Sequence, residues 1–489
     1  MESGLLPQIT KYLEERKTEQ PLQLPNLEQL SSELRECARQ IIELTGTWNP
    51  VEIYSATNIG AERLRFMGSL DTQEVYNPQF TYDVADKDIP GARVALVELR
   101  QRLKVAYHAA TDELERQSAL ALLLKIKDDE ATCGLIDGLA SGDEKKVGDS
   151  LLAKYGKMSP TLVVAVQGRL ERMIAGGDEK KIEGITPLLS DEEQKALKEL
   201  PIFAADTKAA FEWALNELGI LATDENPDGF VVVIDPKANG IDVRDKSRNG
   251  RPTVFVPTDE SRQGKQLDGA SLLSLMEHEI RGHARQSMNG YALFGVGGGP
   301  LKIDDESLYE GLAKRYDTAF HRDFYGTSAG EPLPFHILAI HDAEKGLSFR
   351  EVFDAQYEYR LRIELKIPLD QPLPATIDEK IIKDARVAAW NTAYRAFRGH
   401  LDTTNTAAYA NGKDAAYFQG WLLDNQLVAL GHGHMNDAAI MAPGGLRMLG
   451  RFNVQPESLP FPDKPVALPY WEQVLKPKLQ SLPSSALPQ

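Results

Sequence analysis

The stretch MEHEIRGHARQ contains side chains that could hold a metal ion and use it in hydrolysis: His278, Glu279 and His283. A catalytic zinc ion usually takes three protein ligands, for which imidazoles and carboxylates are suitable, and leaves one position open. A nearby carboxylate that is not a ligand can accept a proton from water and pass it to the leaving group. We therefore predict that His278 and His283 are zinc ligands and that Glu279 is the general base.

The spacing of the two histidines demands an unusual helix, because His283 comes five positions after His278. An α-helix turns by about 100° per residue, so side chains four positions apart lie ~40° apart around the axis, and side chains five apart lie ~140° apart. A π-bulge absorbs one extra residue and would restore convergence. Gly282, which weakens a helix interior by roughly 1 kcal/mol against alanine, directly precedes the second histidine. We predict that the helix widens near Gly282.

A third ligand is expected from a second helix, predicted by the segment DDESLYEGLAKRYDTAFH. Glu310 is the preferred candidate because it lies about two turns inside this helix. Asp304, Asp305 and Glu306 are alternatives, although acidic residues at a helix start often serve only the helix dipole. All of these residues could also be ordinary charged residues of solvated helices.

The zinc helix is predicted to follow a small sheet. Asp268 or Ser271 can cap its N-terminus, and the pair Asn289-Gly290 can end it in a left-handed turn. Before it, three short runs rich in Val, Ile and Phe are separated by Asn-Gly turns between residues 228 and 258. This pattern predicts a small antiparallel sheet above the helix.

Two later helices are predicted by capping boxes, in which Ser348 pairs with Glu351 and Thr376 with Glu379. The second of them is expected to extend through the basic segment AYRAFRG. A further helix is expected to run from about residue 413 to about residue 431.

Four residues in these later helices are candidates for substrate binding. Arg395 and Arg398 share a helical stripe, and a guanidinium can pair with a carboxylate through two parallel hydrogen bonds. Lys413 is a further cation for the same role, and Tyr417 could donate a hydrogen bond to a tetrahedral oxyanion. Ordinary salt bridges and a packed tyrosine explain these residue types equally well.

Composition excludes several classes of protein. Of 489 residues, 42% are apolar and 26% charged, which is typical of globular proteins that bury a core. The net charge of −17 argues against general binding to nucleic acid or an anionic membrane. Cys37 and Cys133 provide neither a disulfide framework nor a cysteine zinc site. No signal peptide or membrane-spanning apolar run is recognisable, so we expect a cytoplasmic protein.

The motif and its surroundings resemble the microtubule-associated tyrosine carboxypeptidase family and its uncharacterised bacterial relatives. The resemblance begins with LLSLMEHEIRGHARQSMNG followed by YEGLAKRY. Four further segments fit in the expected order: NPQFTYD at 77–83, LLAKYGKMSP at 151–160, AYRAFRG at 393–399 and KDAAYFQGWL at 413–422. Together they span most of the chain, although each is weak alone.

The resemblance implies a zinc metallopeptidase that removes one residue from a protein C-terminus, as the animal members remove the terminal tyrosine of α-tubulin. It also implies that His278, His283 and Glu310 are the ligands and Glu279 the base. This sequence departs from the family pattern, in which Gly commonly follows HEI directly, because Arg281 precedes Gly282 here. The departure leaves the substrate, and any relevance of tubulin, undefined.

These observations predict a predominantly helical α+β protein with a zincin-like fold. An N-terminal helical region is expected over residues 1–200 and a catalytic domain over 201–480. Within that domain we expect the small sheet at 228–258, the zinc helix at 268–289 and a C-terminal helical part at 304–450. Residues 481–489 are expected to form a flexible tail.

The predicted function is a carboxypeptidase with one zinc ion, acting on the C-terminus of a protein or peptide. A C-terminal aromatic residue is the preference that the resemblance suggests. The alternatives are a zinc endopeptidase on the same core and a non-catalytic binding protein that retains the fold. We expect no nucleic-acid or membrane partner, and the sequence does not indicate an oligomeric state.

Overall fold

The computed structural model describes most of the chain and is mainly helical. The described residues are 31–45, 53–72, 74–84, 88–111, 113–177, 180–238, 240–244, 251–261, 266–294, 306–406, 409–438 and 459–481. Helices with a small sheet confirm the predicted α+β class. Over these ranges, no helix is both long and apolar enough to cross a membrane. The tail predicted at 481–489 lies outside them, apart from its first residue.

The helices fall into three groups along the chain. Those before the first strand are α1 (Ser32–Thr45), α2 (Ile59–Thr72), α3 (Ile89–Ala109), α4 (Glu113–Ser141), α5 (Glu144–Tyr155), α6 (Pro160–Ile174) and α7 (Asp191–Glu199). Between the strands lies α8 (Ala204–Glu217). Those after the last strand are α9 (Gly269–Leu275), a π-helical segment (Met276–Ala284), α10 (Arg285–Phe294), α11 (Glu306–Phe320) with a π turn (His321–Tyr325), α12 (Phe335–Glu344), α13 (Phe349–Leu365), α14 (Glu379–Phe397), a 3-10 turn (Lys413–Ala415), α15 (Ala416–Ala429), α16 (His434–Ala438), α17 (Ala467–Tyr470), a second π turn (Trp471–Leu475) and α18 (Lys476–Ser481).

The described strands form a two-stranded and a three-stranded sheet. They are β1 (Pro201–Ile202), β2 (Val231–Asp235), β3 (Asp242–Arg244), β4 (Thr253–Pro257) and β5 (Leu267–Asp268). β1 pairs with β5, and the larger sheet has the order β2-β4-β3. β3 and β4 are antiparallel, but β2 and β4 are parallel, so the prediction of an antiparallel sheet is wrong for that pair. The reason is that β4 lies between β2 and β3, so these two consecutive strands do not pair with each other.

The chain divides into two compact units that differ from the predicted domains. Unit 1 holds the described residues within Ser32–Asp178 and Leu333–Gln419, and unit 2 those within Glu179–Pro332 and Gly420–Gln489. The boundary predicted between residues 200 and 201 therefore lies inside unit 2. The segment 333–419, expected to be part of the catalytic domain, belongs with the N-terminal helices instead.

An aromatic core explains why the late helices join unit 1. The ring of Phe66 in α2 lies 4.8 Å from that of Phe353 and 5.1 Å from that of Trp390. Phe349 contacts the same cluster, with its ring 5.2 Å from that of Phe66. These side chains are fully buried. Large rings contribute strongly to core stability, so contacts between residues hundreds of positions apart define the unit.

Unit 2 is organised around the predicted zinc helix. Leu272, Leu273, Met276 and Ile280 on one face of that helix are fully buried. They belong to the same apolar cluster as residues of α8 and of the sheet, including Val254. This packing fixes the helix along its length and leaves its opposite side for polar residues.

The start of the zinc helix agrees with the sequence, but its end does not. Asp268 is the N-cap, because its Oδ1 accepts a hydrogen bond of 2.6 Å from the backbone N–H of Ser271. The predicted stop at Asn289-Gly290 is wrong, since α10 continues to Phe294. Asn289 is buried, and its Nδ2 donates to the carbonyls of Asp437 and Phe461 at 3.0 Å each. Its Oδ1 accepts from the N–H of Phe461 at 2.8 Å, so its role is tertiary.

The two predicted capping boxes have different outcomes. Ser348 and Glu351 form the reciprocal capping box at the start of α13. The box of Thr376 with Glu379 is absent from the described start of α14. Asp378 caps that helix instead, accepting from the backbone N–H of Lys380 at 2.8 Å. A carboxylate directly before the first helical residue competes better for these N–H groups.

Candidate metal centre

A π-helical segment carries both histidines of the motif. It runs over Met276–Ala284, between α9 and α10, so the predicted widening of the helix is confirmed. The rings of His278 and His283 lie 5.0 Å apart between centroids, with an interplanar angle of 89°. A ligand atom of Glu279 lies within 4.8 Å of ligand atoms of both histidines. The extra residue in the turn therefore brings the two imidazoles to one side of the helix.

Glu310 of α11 meets the two histidines from a second helix. Its Oε2 lies 3.7 Å from Nε2 of His278 and 3.5 Å from Nε2 of His283. Ligand atoms held tetrahedrally at about 2.0–2.1 Å from a zinc ion are separated by about 3.3 Å. The two distances from Glu310 are a few tenths of an ångström longer than this separation. Glu310 is 8% exposed, so its carboxylate has little access to bulk water.

A close contact between the π-helical segment and α11 sets the distances between Glu310 and the two histidines. A Cβ atom on Gly282 would lie 2.9 Å from Cα and 3.0 Å from Cβ of Ala313 in α11. The backbone of Gly311 likewise packs directly on that of Gly420, with no space for a side chain. Because Gly282 has no side chain, α11 can pack closely against it. The position of Gly282 in the motif alone did not indicate this role. Ala313 and Gly311 belong to the segment EGLA that also contains Glu310.

Glu279 lies in an environment that disfavours its charge. Burial, opposed by His283 and assisted by the nearby carboxylates of Glu310 and Asp242, raises the pKa of Glu279 to about 7. A carboxylate whose pKa lies near neutrality can both accept and release a proton at that pH. The residue therefore has the properties expected of a general base, and it lies on the turn that carries both histidines.

His278 is held as the neutral imidazole. Burial, reinforced by repulsion from His283, lowers its pKa to about 3, although Glu310 and Asp317 act in the opposite direction. A metal ligand must be deprotonated at the atom that binds, so a neutral ring is the competent form. Asp317 is fixed by Ser274, whose hydroxyl donates to it at 2.5 Å.

His283 is positioned by stacking. Its ring lies 3.7 Å from that of Tyr309, centroid to centroid, at an interplanar angle of 23°. Its Nδ1 is buried and makes no hydrogen bond within the described chain. Metal-binding histidines usually gain their orientation from a hydrogen bond at the second nitrogen. Here the contact with Tyr309, which the sequence did not single out, supplies the orientation.

Arg281 belongs to the framework behind the site. It donates to Glu277 at 2.7 Å and to Asp463 at 2.7 Å, and its guanidinium lies 4.1 Å from the centre of the Tyr316 ring. Glu277 also accepts from the backbone N–H of Val466 at 3.0 Å. The residue that departs from the family pattern thus connects the helix to a later segment. The charge of Arg281 is therefore paired with carboxylates of the protein itself.

Of the four acidic candidates for the third ligand, Glu310 is the one whose side chain the structure describes. Asp304 and Asp305 lie outside the described residues. Glu306 is the first residue of α11. Glu310 is the acidic residue of this helix whose carboxylate is seen beside both histidines.

The predicted substrate-binding residues lie in unit 1, whereas the histidines and Glu310 lie in unit 2. Arg398 forms a buried ion pair with Asp414, and Arg395 Nη1 donates to the same carboxylate at 3.2 Å. Burial opposes ionisation of Asp414, but the cations around it outweigh burial and hold its pKa well below the usual range. Arg395 keeps 43% of its side chain exposed, while Arg398 is almost fully buried.

Lys413 and Tyr417 also lie in this part of unit 1. Lys413 begins the 3-10 turn that precedes α15 and is buried. Tyr417 lies in the first turn of α15 and is half-buried. The helix expected over 413–431 is thus found, with a tighter first turn and its end at Ala429.

The sequence and the structure were compared with protein families, curated proteins and solved structures. No family model matches the sequence, and no curated protein matches it. A solved structure from Shewanella oneidensis, described as a "putative lipoprotein of unknown function", aligns at 10% identity and a TM-score of 0.36. The alignment covers 91% of this chain and 92% of that one. A likeness at this level carries no argument about fold or function.

Proposed function

We propose that this protein is a zinc-dependent metallopeptidase of the carboxypeptidase type, built on a zincin-like core. In this proposal His278, His283 and Glu310 hold the ion, and Glu279 is the general base. The substrate is the C-terminus of a protein or peptide.

The observation that carries the proposal is the position of the Glu310 carboxylate. Its Oε2 lies within 3.7 Å of Nε2 of both histidines, which is close to the separation of about 3.3 Å between ligands of a tetrahedral zinc ion. Three ligands from two helices leave a fourth position, which is typical of catalytic rather than structural zinc sites. A buried group of two imidazoles and a carboxylate suits zinc among the common divalent ions.

Each side chain has a distinct task. Zinc, when bound, supplies Lewis acidity that polarises a carbonyl oxygen. Glu279 accepts the proton of the attacking water and delivers it to the nitrogen of the leaving amine. Tyr309 keeps the ring of His283 in place, and the contact of Gly282 with Ala313 keeps α11 close enough for Glu310 to reach both histidines.

The carboxypeptidase specificity rests on the resemblance of HEIRGH, YEGLAKRY and the flanking segments to the tyrosine carboxypeptidase family. The role of Arg395 as the group for a substrate carboxylate stays a prediction from the sequence, and 43% of its side chain is exposed. Arg398 is buried in its ion pair and is a weaker candidate.

A library of peptides with different C-terminal residues tests this function. We expect mass spectrometry to show loss of one terminal residue with the wild-type protein loaded with zinc. The Glu279→Gln variant should bind zinc but should lose at least about 99% of the activity, because the proton acceptor is gone. Retention of full activity by this variant would exclude the proposed base.

Amidation of the peptide C-terminus separates the proposal from its closest rival. A carboxypeptidase should not cleave an amidated peptide, whereas an endopeptidase should cleave both forms. Equal cleavage of the two forms would establish an endopeptidase. No cleavage of any peptide by zinc-loaded protein would support a binding protein that retains the fold.

A further inference from the structure

Unit 1 contains a cavity of about 470 Å³ at which four helices meet. Most of its lining is apolar and comes from the end of α6 and from α12, α13 and α14, including Met173, Phe335, Ile363 and Ala388. Cavities that bind small molecules are typically 300–1,000 Å³, mostly apolar, with a few polar groups that fix orientation. The cavity therefore has the size and lining of a ligand site.

Arg360 is the least exposed of the charged residues in this lining. Its guanidinium lies over the Phe335 ring, with Cζ 3.4 Å from the ring centre. Nη2 donates to the hydroxyl of Thr392 at 3.3 Å, and Nε is buried without a hydrogen-bond partner among the described residues. The contact with the Phe335 ring and the hydrogen bond to Thr392 together orient the guanidinium.

No carboxylate neutralises Arg360 within the described parts of the chain. Two positions later on α13, Arg362 has an ion pair with Glu358 at 2.6 Å, which shows that acidic partners are available on this helix. Glu364 lies one turn after Arg360 and also lines the cavity, but it is exposed and forms no ion pair with Arg360. Burial lowers the pKa of Arg360 to about 10, so the group is still charged at neutral pH.

A largely buried charge without a partner is costly, and proteins rarely retain one without a use. The other charged groups of the lining, Glu364, Lys380 and Asp384, are all exposed to solvent, where water screens their charges. Among the charged groups of the lining, Arg360 is therefore the one that is largely buried and has no ion pair within the described residues. A ligand that fits must bring one negative charge and apolar surface.

We propose that this cavity binds a small organic monocarboxylate with an apolar body. The carboxylate accepts hydrogen bonds from the guanidinium of Arg360, and the apolar part lies between Met173, Phe335 and Ala388. The site is separate from the metal centre and does not depend on the proposed peptidase activity.

Isothermal titration calorimetry of the full chain with 4-phenylbutyrate tests the site. The neutral amide of the same compound has the same apolar body and no charge. We expect saturable binding of the carboxylate and binding of the amide that is at least about tenfold weaker, since a charge-assisted hydrogen bond is lost. No saturable binding of the carboxylate in the millimolar range, or equal binding of both compounds, would overturn the proposal.

Two variants locate the binding within the molecule. Arg360→Met keeps most of the side-chain volume and should weaken carboxylate binding at least about tenfold, with binding of the amide unchanged. The matched control is Arg386→Met on α14, which removes an equal charge from a surface pair with Asp71 and should bind as the wild type does. Equal weakening by both variants would show that net charge, and not the cavity, governs binding.

A cavity-filling variant keeps the test informative if Arg360→Met does not fold. Ala388→Leu leaves every charge in place and adds apolar volume inside the cavity. It should abolish binding of both the carboxylate and the amide. Unchanged binding of 4-phenylbutyrate to folded Ala388→Leu would place the ligand elsewhere and overturn the proposal.

Discussion

Gly282 and Ala313 lie in direct contact where the π-helical segment crosses α11, with the Ala313 Cα only 2.9 Å from the position of a Cβ on Gly282. The two helices carry His283 and Glu310, whose side-chain atoms Nε2 and Oε2 are 3.5 Å apart. Because helices pack through their side chains, the smallest residues at the crossing allow the closest approach. This contact therefore controls the geometry of the candidate metal centre.

A methyl group at residue 282 should separate the two helices. We predict that Gly282→Ala lowers the free energy of unfolding by about 1–3 kcal/mol, the usual cost of overpacking. It should also weaken zinc binding about tenfold or more, because Glu310 moves away from the histidines. Urea unfolding and a competitive zinc titration measure the two effects.

Gly168→Ala is the matched control. Gly168 lies inside α6, and a Cβ there would meet nothing within 4 Å. Replacing an unobstructed helical glycine by alanine should raise stability by up to about 1 kcal/mol and leave zinc affinity unchanged. Wild-type stability and zinc affinity in Gly282→Ala would contradict the proposed role of the contact.

The spacing of the two histidines could predict the π-helical segment, since five positions on a regular α-helix cannot point two side chains at one ion. The sequence could not reveal the helix that Gly282 contacts. A glycine in the motif is equally compatible with local widening and with close packing, and the choice depends on the chain at Ala313. Tyr309 was missed for the same reason, because stacking on His283 requires the approach of α11.

The ring of Tyr309 should contribute to the centre through stacking rather than through its hydroxyl. We predict that Tyr309→Ala weakens zinc binding about threefold to tenfold, since ring contacts contribute roughly 0.5–1.5 kcal/mol. Tyr309→Phe keeps the ring and should bind zinc as the wild type does. An equal loss in both variants would assign the effect to the hydroxyl.

The buried carboxylate of Asp414 should make stability depend on pH. Its pKa is depressed in the folded protein, so its contribution is present above the unfolded pKa of about 3.9 and is lost as the pH falls through the lower folded value. We predict that Asp414→Asn costs about 3–5 kcal/mol at pH 7, because Arg398 is left buried without a counter-charge.

Urea unfolding of both proteins at pH 7 and pH 3 checks the sign of this effect. The difference in stability between wild type and Asp414→Asn should shrink at pH 3, because the Asp414 carboxyl of the unfolded chain is then largely protonated while that of the folded protein stays ionised. A difference of the same size at both pH values would show that packing, and not charge, makes Asp414 important.

Asn289 should matter for stability although it is distant in sequence from its partners. Its side chain bonds to Asp437 and to Phe461 through three hydrogen bonds. Asn289→Ala should lower the free energy of unfolding by about 2–4 kcal/mol, because buried backbone groups lose their partners. A loss below about 1 kcal/mol in urea unfolding would show that water replaces the amide.

Local signals and long-range contacts account for what the sequence could and could not predict. The capping box of Ser348 with Glu351 depends on four neighbouring residues and was predicted correctly. The Asn-Gly pair at 289–290 gave a local stop signal that tertiary hydrogen bonds to Asn289 override. The helices α13 and α14 belong to unit 1 because their aromatic side chains contact residues far away in the sequence, as Trp390 contacts Phe66. No local pattern encodes such a contact.

Zinc content, measured by inductively coupled plasma mass spectrometry after incubation with zinc and removal of free metal, tests the central claim most directly. We predict about one zinc ion per chain in the wild type and in Glu279→Gln, since the base is not a ligand. His283→Ala and Glu310→Gln should retain at most about a tenth of this amount. A wild type without zinc, or equal zinc in His283→Ala, would contradict the account.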